Sequence, residues 1–232
     1  MKLNLICFPF AGGSKYSYNN YIKLADKNLQ LIPIDYPGRG FRFKEALITN
    51  VKPLIEDCFD KIKGHLHEPY AIYGHSMGSI VSYLVTKRII AEGLPQPKHL
   101  FLSGRGGPSV AYTEPPRYLL PSDKFRAQLK EMGGSPDEVL NDEDLMCFFE
   151  PILRADFEAL ENYKYEHTQP FDIPVTVMIG EQERVTLEQA FTWQNETTQK
   201  IDIRRFPGRH FFIFEHTATI MDIIGQKLLP KI

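Results

Sequence analysis

The stretch that most constrains this chain is Tyr70-Ala71-Ile72-Tyr73-Gly74-His75-Ser76-Met77-Gly78. Tyr70 to Tyr73 suit a buried strand and run directly into Gly-x-Ser-x-Gly. Ser79 to Arg88 continue as a helix-compatible run. Strand, sharp turn and helix is the context of a nucleophile elbow, in which the central serine is held in a strained conformation. Glycine at the flanking positions removes the Cβ atoms that would strike the adjoining strand and helix. A helix starting at the serine turns unpaired N–H groups and the positive end of its dipole toward any negative charge formed there. The competing account is an ordinary glycine-rich turn, and the flanking strand and helix argue against it.

The rest of the chain supplies a sheet for that elbow. Leu3 to Phe8 is an apolar run that reads as the first strand, too short for a signal peptide. It ends in Pro9-Phe10-Ala11-Gly12-Gly13-Ser14. In this architecture the loop after an early strand donates one oxyanion-hole N–H, and Ala11 is the expected donor. Tyr16 to Lys27 suits an aromatic-rich helix and Leu29 to Ile34 a second strand. Asp35-Tyr36-Pro37-Gly38-Arg39-Gly40 reads as a turn, with Asp35 and Arg39 more suited to holding a loop than to chemistry. Val51 to Leu66 carries apolar residues at helical spacing, with His65 and His67 at its dipole-friendly C-terminal end. His99 to Gly104 is the next strand. Repeated strand–helix units with continuous apolar strands imply a parallel sheet covered by helices on both faces, with ligands at the strands' C-terminal ends.

Between about 106 and 170 the rhythm breaks. Helical patches appear at Ser122 to Glu131, Asp142 to Phe149 and Pro151 to Tyr163, with Ser122 or Asp123 as a cap for the first. A helical insertion over the catalytic edge reads as a lid. Arg117, Lys124, Arg126 and Lys130 on it suit an acidic partner or a phosphate as well as they suit a solvated face. The sheet resumes at Ile173 to Gly180, followed by a helix from Leu187 to Gln199, a last strand from Ile201 to Phe206 and a helix from about His216 to Leu229. The expected whole is a single α/β domain over 1–232, with about six strands and the insertion at about 106–170.

A serine at an elbow needs a base, and the base an orienting acid, in the chain order serine, acid, histidine for this kind of sheet. Ser76 is followed by a strand ending at Glu181 and Glu183, then by a strand ending at Pro207-Gly208-Arg209-His210. Three strand ends thus offer the three roles in order. His75 is fixed beside the nucleophile and His216 lies inside a helix, so His210 is the expected base. A net charge of −2 argues against nucleic acid as a partner. Three widely spaced cysteines, Cys7, Cys58 and Cys147, form neither a disulfide framework nor a metal motif, and suit a reducing, cytosolic setting. No apolar run approaches membrane-span length.

At this point the chain resembles the stand-alone (type II) thioesterases of nonribosomal peptide and polyketide synthetases, nearly end to end. The shared motifs are Phe8-Pro9-Phe10-Ala11-Gly12-Gly13, Pro37-Gly38-Arg39-Gly40, Gly74-His75-Ser76-Met77-Gly78 and Ser103-Gly104-Arg105. In the insertion they are Leu120-Pro121-Ser122-Asp123, Met132-Gly133-Gly134-Ser135-Pro136 and Leu153-Arg154-Ala155-Asp156-Phe157. Gly208-x-His210-Phe211 follows near the end. The insertion motifs are the specific ones, because general esterases share the elbow without them. The resemblance implies the α/β-hydrolase fold and hydrolysis of acyl thioesters on the phosphopantetheine arm of carrier proteins. It also implies oxyanion N–H groups from Ala11 and Met77. Two positions depart from the pattern. Ser79 stands where a glycine follows the elbow, and Glu183 stands where the family has its aspartate.

The implied chemistry is attack by Ser76 on a thioester carbonyl with His210 as base, needing no metal or redox cofactor, in a monomer. Glu183 is the expected acid, with Glu181 two residues earlier, or a weak or absent orienting acid, as the alternatives. Two other functions stay open on these residues: a carboxylesterase or lipase using the same groups on oxygen esters, and a non-catalytic binding protein on the same fold.

Overall fold

A computed structural model of the chain describes residues 2–133 and 137–229. Gly134, Ser135 and Pro136 of the resemblance lie outside the described residues. Six parallel strands form one sheet: β1 (Leu3–Phe8), β2 (Leu29–Pro33), β3 (Tyr70–His75), β4 (Leu100–Ser103), β5 (Val175–Gly180) and β6 (Asp202–Phe206). Their order is β2-β1-β3-β4-β5-β6. The fold is that of the α/β-hydrolases, as expected. From β1 the chain crosses to β2 on one side, and from β3 it crosses to β4 on the other. The sheet therefore reverses direction between β1 and β3, which opens a crevice beyond their C-terminal ends. Phe8 and His75 are the last residues of those strands.

The central strands are buried on both faces, and their side chains alternate between two cores. Ile6 and Phe8 of β1 join Tyr70 and Ile72 of β3 on one face, beneath α2 (Val51–Ile62) and α3 (Met77–Ala91). Leu3, Leu5 and Cys7 join Ala71 and Tyr73 on the other, beneath α1 (Asn19–Leu24) and the C-terminal helix. Period-two alternation hidden inside continuous apolar runs is the mark of a sheet covered on both faces.

The helical insertion between β4 and β5 holds α4 (Ser122–Met132), α5 (Asp137–Leu140) and α6 (Glu143–Glu161), which share a core of Phe125, Leu129, Met146, Leu153 and Phe157. Two expected helices are here one: α6 runs through Pro151 for 19 residues. Proline removes one backbone bond at a cost of about 3 kcal/mol. Met146 on one side of Pro151 and Ile152, Phe157 and Leu160 on the other are buried, and their packing offsets that loss. Neither expected cap serves α4. Pro121 stands at its N-cap, and the Ser122 hydroxyl instead donates to Glu150 at 2.7 Å.

The expected helix over 187–199 is also shorter. It is α7 (Leu187–Phe191) with a 3-10 turn from Thr192 to Glu196, because Trp193 is fully buried and Thr197 bonds the Ile173 carbonyl at 2.7 Å. The expected aromatic-rich helix at 16–27 is a 3-10 turn (Lys15–Tyr18) followed by α1, with Ser14 capping the turn. The C-terminal segment is α8 (Phe212–Glu215) and α9 (Thr217–Leu228). Among the described residues no helix is long and apolar enough to cross a membrane.

One long-range contact ties the insertion to the sheet. Arg39, 5% exposed, makes a two-pronged ion pair with Asp156 of α6, 1% exposed; one prong is Arg39 Nη2 to Oδ1 at 2.7 Å. The same carboxylate accepts the Gly12 N–H at 2.7 Å. Removing one partner of such a pair strands a buried charge and costs about 3–5 kcal/mol. Asp156→Ala is therefore expected to lower Tm by about 6–20 °C in a chain of this size. Glu143→Gln, which breaks only an exposed pair with Arg126, is expected to cost under about 1 kcal/mol. Equal losses in thermal melts of the two variants would contradict the anchoring role of Asp156.

Candidate active site

The elbow takes its shape from two contacts that no side chain would survive. A Cβ on Gly74 would overlap the Gly78 carbonyl and the Ser82 hydroxyl. One on Gly78 would overlap the Phe8 carbonyl and lie 2.9 Å from that of Pro9. Helix α3 therefore packs directly on the ends of β1 and β3, and the residue between the glycines must turn sharply. Ser76 has φ 55° and ψ −111° and is the only non-glycine residue at positive φ among the described residues. Its N–H is fixed to Ser103 O at 2.7 Å. Ser79, the departure from the resembled pattern, fills its site with hydrogen bonds. Its hydroxyl lies 3.0 Å from Gly74 O and 2.9 Å from Ser103 O, and accepts from the Ser103 N–H at 3.1 Å.

The acid and histidine loops are stitched together before their side chains meet. Glu181 N–H donates to Phe206 O at 2.8 Å, and Gln182 N–H to Gly208 O at 3.0 Å. Gly208 N–H returns a bond to Gln182 Oε1 at 2.9 Å. A Cβ on Gly180 would sit 2.7 Å from the carbonyls of both Gly208 and Arg209, so glycine there lets the second loop lie over the first. Across this seam Glu183 Oε2 meets His210 Nδ1 at 2.8 Å, while its Oε1 accepts the Gly180 N–H at 2.7 Å. The Glu183 side chain is 1% exposed. Glu181 points instead toward Arg205, 3.9 Å away, and is 42% exposed. The sequence left these two glutamates open, and the geometry pairs Glu183 with the histidine.

A carboxylate at Nδ1 holds the proton on that nitrogen and leaves the Nε2 lone pair free. His210 Nε2 is buried and has no hydrogen-bond partner among the described residues. The bond from the Ser76 hydroxyl is thus open here, as such bonds often are before substrate binds. His75 lies behind, its ring 4.9 Å from that of His210, with Nδ1 against the Ser103 hydroxyl at 2.9 Å. Burial, and then the charge His210 acquires on protonation, push the His75 pKa well down, so it stays neutral. Gly104, at φ 64°, lies against both rings: a Cβ there would overlap the His75 ring and approach His210 Cε1 to 3.1 Å.

Two cavities meet at Ser76 and His210. One, of about 240 Å³, is lined by Phe10, Ala11, Leu129, Met146, Phe149 and Phe211 among others and is apolar. The other, about 750 Å³, carries charged groups, Arg105, Arg117, Arg184 and Glu183 among them. Met77 opens α3, where helix N–H groups have no intrahelical acceptor, and Ala11 lines the apolar cavity.

Arg39 and Asp156 belong to motifs far apart in the sequence that meet in the fold. Together they hold the Ala11–Gly12 loop against the elbow. Asp35 proves structural, accepting the Lys15 and Phe41 N–H groups at 2.7 and 3.0 Å. Among the cations offered for partner docking, Arg117 pairs with Glu161 at 2.6 Å and Arg126 with Glu143 at 2.6 Å.

Residues 3–228 match the thioesterase domain family. The chain is 31% identical to the gramicidin S biosynthesis protein GrsT of Aneurinibacillus migulanus, over its whole length and 92% of that protein. Among solved structures it resembles RedJ, the thioesterase of the prodiginine biosynthetic pathway in Streptomyces coelicolor. That match has a TM-score of 0.92 and 30% identity, covering 97% of this chain and 90% of that one. It also resembles BorB, the type II thioesterase from the borrelidin biosynthetic cluster. There the TM-score is 0.90 and the identity 29%, over 98% and 93% of the two chains.

The close fit at Gly104 is testable directly. Gly104→Ala is expected to displace the His75 ring, press on His210 and slow labelling of Ser76 by a fluorophosphonate. The slowing should reach at least about tenfold, since a misplacement near 1 Å can cost more. Unchanged labelling of a folded variant would mean that the rings tolerate displacement.

Proposed function

Because the chain belongs to the thioesterase domain family, we propose that Ser76, His210 and Glu183 hydrolyse acyl thioesters carried on the phosphopantetheine arm of carrier proteins. The observation that carries this reading is the strained Ser76 beside the His210–Glu183 pair, at the junction of an apolar and a charged cavity. The service is editing: removing acyl groups that stall or misprime a nonribosomal peptide or polyketide synthetase. The likeness to GrsT, RedJ and BorB supports that setting.

The mechanism has two halves. His210 Nε2 takes the Ser76 proton as Oγ attacks the thioester carbonyl, and the backbone N–H groups of Ala11 and Met77 receive the oxyanion. Each such donor contributes roughly 3 kcal/mol in related chemistry. The carbon–sulfur bond breaks, and His210 passes its proton to the departing thiolate. Water then gives a proton to His210 and attacks the acyl-enzyme, and Ser76 leaves with that proton restored. Glu183 keeps the proton on Nδ1 and stabilises the imidazolium. The apolar cavity suits an uncharged acyl chain, and the charged cleft the arm or an acyl group that itself carries a charge. In this reading the insertion at about 106–170 is a cover over both, within a single domain.

Ser76→Ala is expected to abolish turnover with the fold intact. Glu183→Gln keeps the shape but favours the wrong histidine tautomer, a change that cost roughly 10⁴-fold in kcat in a comparable triad. Glu181→Gln is expected to lose less than about tenfold, a barrier change under about 1.4 kcal/mol. Reversed losses would make Glu181 the acid, and small losses in both would mean that serine and histidine act as a dyad. Faster turnover of p-nitrophenyl esters than of acyl-carrier thioesters would favour the oxygen-ester alternative.

A further inference from the structure

Arg105 is held on all sides except at its charge. Before it, Gly104 N–H donates to Met178 O at 2.9 Å. After it, Gly107 N–H reaches Gln189 O at 3.1 Å and the Thr192 hydroxyl at 3.0 Å. Its own carbonyl accepts from the indole N–H of the buried Trp193 at 2.9 Å. The backbone is therefore fixed by hydrogen bonds to β5, α7 and the turn that follows. Yet among the described residues the guanidinium makes no hydrogen bond and no ion pair within 4 Å.

The nearby carboxylate is already used. Glu161 gives Oε1 to Arg117 Nε at 2.6 Å and Oε2 to the Arg117 N–H at 2.8 Å. Arg184, across the cleft, is likewise matched, by Glu114 at 3.0 Å and Glu131 at 2.7 Å. Arg105 thus shares the cleft with a second arginine, and its five N–H donors meet no protein acceptor among the described residues. Burial, and then repulsion from Arg117, push its pKa down to about 10, which still leaves it charged at neutral pH. Arg105 is only half-buried, so its charge stays open to the cleft and to the acceptors a ligand would bring.

Its location says whose acceptors those are. Arg105 lines the charged cleft with Ser76 and His210, and it directly follows Gly104, which packs against both histidine rings. We infer that the Arg105 guanidinium binds an anionic oxygen group, carboxylate or phosphate, of the thioester substrate. This rests on the thioesterase reading above. The two sources differ in place: a carboxylate belongs to the acyl group, a phosphate to the arm.

Four substrates separate them, each measured with the full-length chain and with Arg105→Gln and Arg105→Lys. They are a neutral acyl N-acetylcysteamine thioester, a succinyl N-acetylcysteamine thioester, its methyl ester, and the neutral acyl group on phosphopantetheine. Hydrolysis of the neutral N-acetylcysteamine substrate, and its loss in Ser76→Ala, test the thioesterase chemistry independently of Arg105. If the anion is a carboxylate, Arg105→Gln is expected to raise KM about tenfold or more for the succinyl substrate alone, as for one charge-assisted contact. If it is a phosphate, the same rise is expected for the phosphopantetheine substrate alone. In either case kcat changes little and Arg105→Lys recovers part of the loss. Equal losses on all four substrates, or none on any, would overturn the inference. Should both variants fail to fold, the unaltered chain still decides. A succinyl substrate preferred over its methyl ester, or inhibition by 4′-phosphopantetheine stronger than by pantetheine, supports it, and absence of both preferences overturns it.

Discussion

The site depends on a contact between backbones with nothing between them. Gly74 and Gly78 let α3 rest on the carbonyl ends of β1 and β3. That contact forces Ser76 into positive φ and brings the Phe8–Ala11 loop to the same point. Residues in such conformations cost of order 1–3 kcal/mol and persist only where their surroundings over-determine them. Here the surroundings are the Ser79 hydroxyl, bonded to both β3 and β4, and the Ser103 carbonyl holding Ser76 itself. The serine that departs from the resembled pattern is thus a brace for the elbow.

A second seam, between the loops after β5 and β6, does for the acid and histidine what the elbow does for the serine. Three backbone-anchored bonds across it fix the separation of Glu183 and His210. The extra methylene of glutamate is accommodated because its other oxygen reaches back to the Gly180 N–H. The carboxylate is therefore held at both oxygens, and its length does not become freedom.

The strands were legible because burial on both faces leaves an unmistakable apolar run between glycine- and proline-rich turns. The serine and histidine were legible because they end strands in a telling order. What could not be read was whatever depends on contacts between distant segments. The burial of Trp193 turns an expected helix into a 3-10 turn, and packing on both sides of Pro151 joins two expected helices into one. The choice between Glu183 and Glu181 turns on a seam between two loops. The Arg39–Asp156 pair spans 117 positions of sequence, and no local pattern announces it.

That pair has a dynamic consequence. Asp156 belongs to α6 yet also holds the Gly12 N–H of the loop beneath the elbow. Lifting α6 away would break both bonds at once and draw the Arg39 and Asp156 charges apart. α6 is then a doorpost rather than a door. α4 and α5, by contrast, meet α6 through the apolar side chains of Phe125, Leu129 and Leu140.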